Sequence, residues 1–546
     1  MIFGVTMDSC LLWQLDNVNP RRANEKRNFA FILDWCFMVN LQQNYKKLWP
    51  LLGVQCFKQR WIVYRLNYKI LYFIKVSNCI TRVSWLKLLN FYVFLYSSSS
   101  SRSKLLFLWL KEQYVIMIKE FKPTPYKLES VKSGNQFDDA GWTLDAPNEH
   151  ECSLVRAIYE KKQIEVKDAS YGVFRFADWL PVHKMLEGSS APVTYKSEGL
   201  AKYLDLSDLH ITFSGYWPER GANFRTCSFK ETEAYSVGGR LKTDDGTVLV
   251  VASAGNTARA FARVCSDNNI PLLLCVPEDN IDALWFDEPI KDNVKLIVTK
   301  SGSDYFDAIH LSNLACQLDG FIAEGGAKNV ARRDGMGTTT LSAVTTIGRI
   351  PKYYFQAVGS GTGAIAAWEA NKRLIEDGRF GSNFMKLMVS QNTPFLPIHD
   401  AWKAQSRKML PLDDDVARKQ VEEIDAKVLS NRKPPYAIFG GLYDAMKEAG
   451  GDVLSASNNA AEEAARIFEE TEGNDIHPAA AVATATLIQA VKDGVVDKDD
   501  CIMLNITGGG EERFKREKEI TFLKPSHVFD ITPLVEDVEE VLKQLF

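Results

Sequence analysis

From residue 247 onward the chain alternates short, continuously apolar runs with longer stretches of mixed polarity. Thr247–Ala252, Pro271–Val276, Val294–Val298, Tyr353–Val358, Lys386–Ser390 and Cys501–Ile506 are each of strand length. Runs that are apolar along their whole length, rather than at every second position, predict strands buried on both faces. Between them lie stretches with helical character: Ala258 to about Cys265, Tyr305–Leu318, Ala364–Ile375, Ala460–Thr471 and Pro478–Lys492. The first runs into Asp267, Asn268 and Asn269, residues that stop a helix. Buried strands joined by helices predict an α/β fold with doubly wound parallel sheets. Upstream, His210–Phe213 reads as a strand and Val193–Leu206 as a turn leading into a short helix. Residues 117–192 read as a lead-in region of short strand-like and turn-like pieces, among them Trp142–Asp145 and Cys152–Tyr159.

Residues 1–116 are a different text. They carry 16 Lys and Arg against five acids, a net +11, and six of the 12 Trp. The whole chain has net charge −4, so the remainder carries −15. The apolar stretches in this segment, such as Leu88–Tyr96 and Leu105–Leu110, are shorter than the ~18 residues a spanning helix needs, and a serine run, Ser97–Ser101, separates them. Three readings compete: an organelle-targeting peptide, a basic aromatic surface for membranes, and sequence upstream of a start at Met117 that takes no part in the working protein. The last is the expectation adopted here, with residues 193–546 as the catalytic region.

Composition narrows the function without naming it. The 546 residues are 46% hydrophobic and 25% charged, enough for two or three domains, and nothing in the global charge favours nucleic acid. Ten cysteines occur without a C-x-x-C pair, several in apolar surroundings, which predicts reduced thiols and a cytoplasmic setting. The seven histidines form no H-x-x-x-H or H-E-x-x-H arrangement, so no metal site is predicted.

Four stretches carry candidate chemistry. Lys230 follows a loop rich in Gly, Asn and Ser and precedes a run able to begin a helix, a placement that can hold its amine in a cleft. An amine buried near cationic or apolar groups is less readily protonated and can attack a carbonyl or act as a base. Gly359-Ser360-Gly361-Thr362-Gly363 follows a strand and opens a helix, the form of a phosphate cradle; a tight turn explains it equally well in isolation. No Gly-Lys-Ser/Thr follows it, which excludes a nucleoside-triphosphate loop. Ser253-Ala254-Gly255-Asn256-Thr257 has the same placement after another strand and offers hydroxyls and amides to a carboxylate, with a simple helix cap as the plain alternative. Thr507 opens a glycine run, Gly508 to Gly510, after the last strand.

Taken in order, these stretches resemble the fold type II pyridoxal-phosphate enzymes of the tryptophan synthase β-subunit and threonine synthase type, and within them the cysteate synthase family. The resemblance rests on Tyr195–Ala201, Gly215–Glu219, Thr226–Lys230, Ala252–Thr257, Val358–Ala370 and Asn505–Gly510, and covers residues from about 140 to the end. It implies two doubly wound domains with pyridoxal 5'-phosphate in the cleft between them. It further implies that Lys230 carries the cofactor covalently, that Asn256 bonds its 3′-oxygen, that Gly359, Ser360, Gly361, Thr362 and Gly363 hold its phosphate, that Thr507 faces its ring nitrogen, and that Ser253 to Thr257 bind substrate. The activity implied is a β-replacement in which O-phospho-L-serine and sulfite give L-cysteate, a sulfonate of the kind used to build coenzyme M, by an enzyme that forms homodimers. Threonine synthase chemistry, a phosphoserine sulfhydrylase and a non-catalytic ligand sensor or scaffold on the same fold are the alternatives. Relatives of this type begin with a cysteine-bearing, zinc-ribbon-like piece; here only His150 and Cys152 stand near that place, too few for a closed structural site. The leaving phosphate and incoming sulfite need cationic or amide partners, for which Lys196, Arg225 and Lys328 lie nearest the motifs.

Overall fold

The computed structural model describes residues 121–242, 246–253 and 255–546; the expectations for residues 1–116 and for Ala254 fall outside them. The described chain opens with a three-stranded antiparallel sheet, β1 (Tyr126–Ser130), β2 (Gln136–Phe137) and β3 (Val155–Tyr159). Then come β4 (Val193–Lys196), helix α1 (Gly199–Tyr203), β5 (Leu209–Phe213) and a hairpin of β6 (Tyr216–Trp217) and β7 (Ala222–Asn223).

The next stretch builds a small parallel domain: α2 (Lys230–Arg240), β8 (Val248–Ala252), α3 (Asn256–Asn268), β9 (Leu272–Pro277), β10 (Trp285–Phe286), β11 (Val294–Thr299), α4 (Tyr305–Ala315) and β12 (Phe321–Ala323). The long α5 (Val330–Ile347) leads back to a larger domain of β13 (Tyr353–Ala357), α6 (Thr362–Asp377), β14 (Lys386–Asn392), α7 (Pro397–Lys403), α8 (Asp414–Glu423), α9 (Leu442–Ala449), β15 (Asp452–Ala456), α10 (Asn458–Glu472), α11 (Pro478–Lys492) and β16 (Ile502–Ile506). After α12 (Glu511–Glu517) the chain returns to the small domain through β17 (Thr521–Phe522), β18 (His527–Phe529) and α13 (Val535–Leu545).

The small sheet has the order β12-β8-β9-β11-β18, parallel throughout. The large sheet has the order β15-β14-β13-β16-β5-β4, with β4 alone antiparallel. This is the fold type II architecture of two parallel α/β sheets. The apolar runs are explained by their surroundings. In β13, Tyr353, Phe355 and Ala357 pack into a core with α10 and α11, while Tyr354, and Val358 just after the strand, belong to a separate core with α6 and α9. In β9, Leu272, Leu274 and Val276 face one core and Leu273 and Cys275 the other. With both faces covered, no polar alternation survives.

Helix α5 escapes the sequence pattern for a related reason. Its 18 residues include Gly335, Gly337 and five Thr, and it is buried along most of its length, so it shows no single apolar stripe. Its glycines serve contact: a Cβ at Gly335 would meet the Thr232 carbonyl oxygen of α2 at 2.4 Å.

Candidate active site

The loops Ser253–Thr257 and Gly359–Gly363 and Thr507 lie at the carboxyl ends of parallel strands, where a doubly wound sheet opens its crevice, and Lys230 stands on the turn after the β6–β7 hairpin. Lys230 is the first residue of α2, and its side chain is 21% exposed. Burial holds its amine below the usual lysine range; the Arg332 guanidinium pushes the same way, and the Glu233 carboxylate opposes both. The turn before it is set by Cys227, whose φ of +54° lies in the left-handed region. That conformation places the Cys227 carbonyl to accept from Gly509 N at 3.1 Å, and Phe229 N donates to the Thr507 carbonyl at 2.9 Å. The lysine turn and the Thr507 loop are thereby laced together, with Ser228 and Gly508 forming a bridge.

The loop Gly359–Gly363 joins β13 to α6; the N-cap Gly361 has no side chain to cap the helix, and Thr362 N donates to Ser360 Oγ at 3.3 Å. Ser360 and Thr362 hydroxyls meet at 2.9 Å. The glycines are required by neighbours. A Cβ at Gly359 would lie 2.9 Å from the Val428 carbonyl oxygen, one at Gly363 would lie 2.6 Å from Gln356 Nε2, and Gly361 has φ +79°. Val428 also stands 3.9 Å from the Cβ position of Gly255, which ties this loop to the one after β8.

That second loop carries Ser253, Gly255, Asn256 and Thr257. Ser253 Oγ accepts from Gly255 N at 3.2 Å, and no described side chain caps α3. Asn256 does not act as a cap, because its Oδ1 accepts from Arg259 Nη2 at 2.9 Å, which leaves its NH2 group as a donor. Arg259 is itself fixed: it donates to the Thr226 carbonyl at 3.1 Å and the Ala283 carbonyl at 2.9 Å, and its guanidinium lies 4.1 Å from the Trp285 ring centroid. Thr507 closes the set, 8% exposed, on a loop whose Gly508 backs onto His477, where a Cβ would lie 2.3 Å from Nδ1.

Of the three cations nearest the motifs, one is exposed and two are occupied elsewhere. Lys196 is exposed, Arg225 is held by Asp267, Asp287 and Glu288, and Lys328 pairs with Asp145 at 2.7 Å. The cation that does reach the lysine is Arg332 on α5, which no motif flags. His150 and Cys152 join no cluster of metal-ligating groups among the described residues. One such cluster exists, Asp208, His210 and Cys501, with ligand atoms within 4.8 Å of one another. It sits at the amino ends of β5 and β16, the edge of the sheet opposite these loops, and Asp208 is already paired with Arg349.

The set fits pyridoxal phosphate. Two helix starts whose N-cap glycines carry no side-chain cap present amides to anions, the Asn256 amide oxygen is taken by Arg259 so that its NH2 remains as donor, a lysine amine of lowered proton affinity stands on the turn that Arg259 and the Thr507 loop hold, and side chains at the cradle glycines would fill the space.

The profile of the pyridoxal-phosphate dependent enzymes matches residues 219–508. A cysteate synthase of Methanosarcina barkeri is 46% identical over 401 residues, covering 73% of this chain and 95% of the relative. The cysteate synthase of Methanosarcina acetivorans is 49% identical over 399 residues, with the same coverage of both chains. That of Methanocella paludicola is 49% identical over 380 residues, 69% of this chain and 88% of the relative.

Proposed function

The chain belongs to the cysteate synthase family of pyridoxal-phosphate dependent enzymes, and from that premise we propose that it carries out a β-replacement in which O-phospho-L-serine and sulfite give L-cysteate and phosphate. The observation that carries this reading is the seating of Lys230, a half-buried amine of lowered proton affinity on a turn laced to the Thr507 loop.

Lys230 would hold the cofactor through Nζ, and its amine, when free, removes the proton from Cα of the substrate. When bound, pyridoxal phosphate supplies the conjugated ring that takes up the electron pair left at Cα. The Gly359–Gly363 amides and the Ser360 and Thr362 hydroxyls hold the cofactor phosphate at the positive end of α6. Asn256 donates its oriented NH2 to the 3′-oxygen. Thr507 offers the ring nitrogen a neutral hydroxyl, which adds no charge there. Ser253 to Thr257, at the uncapped start of α3, take the substrate carboxylate. The electron pair left at Cα expels phosphate as the Cβ–O bond breaks, sulfite then forms the Cβ–S bond through its sulfur lone pair, and Lys230 returns a proton to Cα.

The reading extends to a homodimer in the cytoplasm. The free, buried thiols of Cys227, Cys265 and Cys275 support a reducing compartment, and no helix of the described residues is long and apolar enough to cross a membrane. Residues 1–116 stand outside the catalytic machinery in this reading, in keeping with relatives matched over 95% of their length by 401 residues of this chain. The test is phosphate release from O-phospho-L-serine on addition of sulfite, lost in Lys230→Ala. Release from O-phosphohomoserine in its place, or release that needs sulfide instead of sulfite, would assign a different reaction.

A further inference from the structure

Around Lys230 lies a chain of buried charges that none of the motifs contains. Glu233, one helical turn along α2, is 0% exposed, and its Oε2 stands 3.3 Å from Lys230 Nζ. Its Oε1 has no hydrogen-bond partner and faces Arg332 Nη1 of α5 at 3.5 Å. Arg332 in turn is gripped through two hydrogen bonds by Glu324, which follows β12. Tyr305, at the start of α4, is the remaining titratable group in the field of Arg332, Glu324 and Glu233.

A carboxylate taken out of water costs several kcal/mol unless cations face it. Glu233 has two such cations, and Arg332 is shared with Glu324. Its compensation therefore depends on positive charge at the Lys230 nitrogen, which an ordinary exposed lysine–glutamate pair one turn apart would not require. The helices that carry the two halves are locked in contact at Gly335, so the separation cannot relax by sliding.

We propose that Glu233, braced by Arg332 and Glu324, is a positioning residue that holds the Lys230 amine and keeps a proton on it. The inference rests on Lys230 being the lysine that carries the cofactor. When Lys230 takes the Cα proton, an N–H bond forms as the C–H bond breaks, the bonding electrons stay on the substrate side, and the ammonium is caught against Glu233. Glu233 itself takes no proton. The ammonium so held returns its proton to the same carbon after the nucleophile has added.

The test is the proton affinity of Lys230 in the full chain after cofactor removal, read as the pH dependence of acetylation by trace acetic anhydride and quantified by mass spectrometry of the peptide containing Lys230. Glu233→Gln should move the midpoint down by about one pH unit or more, the effect of losing an opposite charge at this distance, so that at a pH below both midpoints the amine labels about tenfold faster. Arg332→Gln should move it up. Glu233→Asp should lie between wild type and Glu233→Gln, and gives the same reading if the Gln protein does not fold. A merely structural role predicts the opposite sign for Glu233→Gln and Glu233→Asp, since a loosened site admits water and returns the amine toward the ordinary value near ~10.4. An unchanged or raised midpoint in the Glu233 variants would overturn the inference. If wild-type protein binds no pyridoxal phosphate, the premise about Lys230 fails instead, which the same preparation shows by its absorption before the cofactor is removed.

Discussion

Replacing Gly335 with Ala tests whether α5 sets the position of the catalytic lysine. The new Cβ would stand 2.4 Å from the Thr232 carbonyl oxygen, 2.8 Å from Ser236 Cβ and 3.0 Å from Glu233 Cα. Two of these three atoms are backbone, so no flexible side-chain tip can swing away. Restoring ordinary contact requires the helices to part by about 1 Å at this point. Overpacking of this kind costs about 1–3 kcal/mol, offset by about 1 kcal/mol from the better helix propensity of Ala, for a net loss of up to roughly 2 kcal/mol. The kinetic effect should be larger than the thermal one. Thr232 and Glu233 lie on the turn that begins with Lys230, and a 1 Å misplacement of a reacting group costs on the order of 100-fold in rate. Thermal melts of the cofactor-loaded protein and phosphate release from O-phospho-L-serine with sulfite, measured on the same preparation, give both numbers. A Gly335→Ala protein that melts at or above the wild-type temperature with unchanged rate would refute the argument.

Three further outcomes follow from the site. Arg259→Met should leave the Thr226 and Ala283 carbonyls unpaired and free Asn256 to rotate, costing roughly 2–4 kcal/mol of stability and raising the cofactor concentration needed for half-saturation; unchanged cofactor binding would remove Asn256 from the cofactor site. Gly359→Ala should drive a methyl group into the Val428 carbonyl and Leu429 Cα, weakening cofactor retention on dialysis more than it lowers the melting temperature. Burial pushes the Glu231 carboxyl up to about 7. Its folded pKa thus exceeds its unfolded value, so the stability it contributes is complete below about pH 4.5 and is lost as pH rises toward 7. Stability should fall across that window by up to roughly 3 kcal/mol, and Glu231→Gln should flatten the profile in denaturant titrations at several pH values.

How much of this was legible in the sequence depended on whether a residue announced its surroundings. Continuous apolar runs marked β8, β9, β11, β13, β14 and β16 because strands covered on both faces carry no polar alternation. The loops after β8 and β13 were visible because glycine and hydroxyl residues cluster where backbone must approach an anion. Helix α5 was invisible, since a helix buried all round and rich in Gly and Thr has neither a polar face nor strong propensity, and Arg332 was lost with it. Strands β12, β15 and β18 were too short or too mixed to stand out. Arg225 was a reasonable candidate on spacing alone, yet three acids distant in sequence, Asp267, Asp287 and Glu288, claim it. The partner of Asn256 shows the same limit: Arg259 lies only three residues on, but its other partners, Thr226, Ala283 and Trp285, are fixed by tertiary contact.

The most direct test of the proposed reaction is to run it in deuterium oxide with O-phospho-L-serine and sulfite and to identify the amino acid by mass spectrometry and proton NMR. Removal of the Cα proton by Lys230, exchange at its ammonium and return after sulfite addition predict L-cysteate carrying deuterium at Cα, formed in step with phosphate. Cysteate that keeps its original hydrogen at Cα throughout, or phosphate release without cysteate, would contradict it.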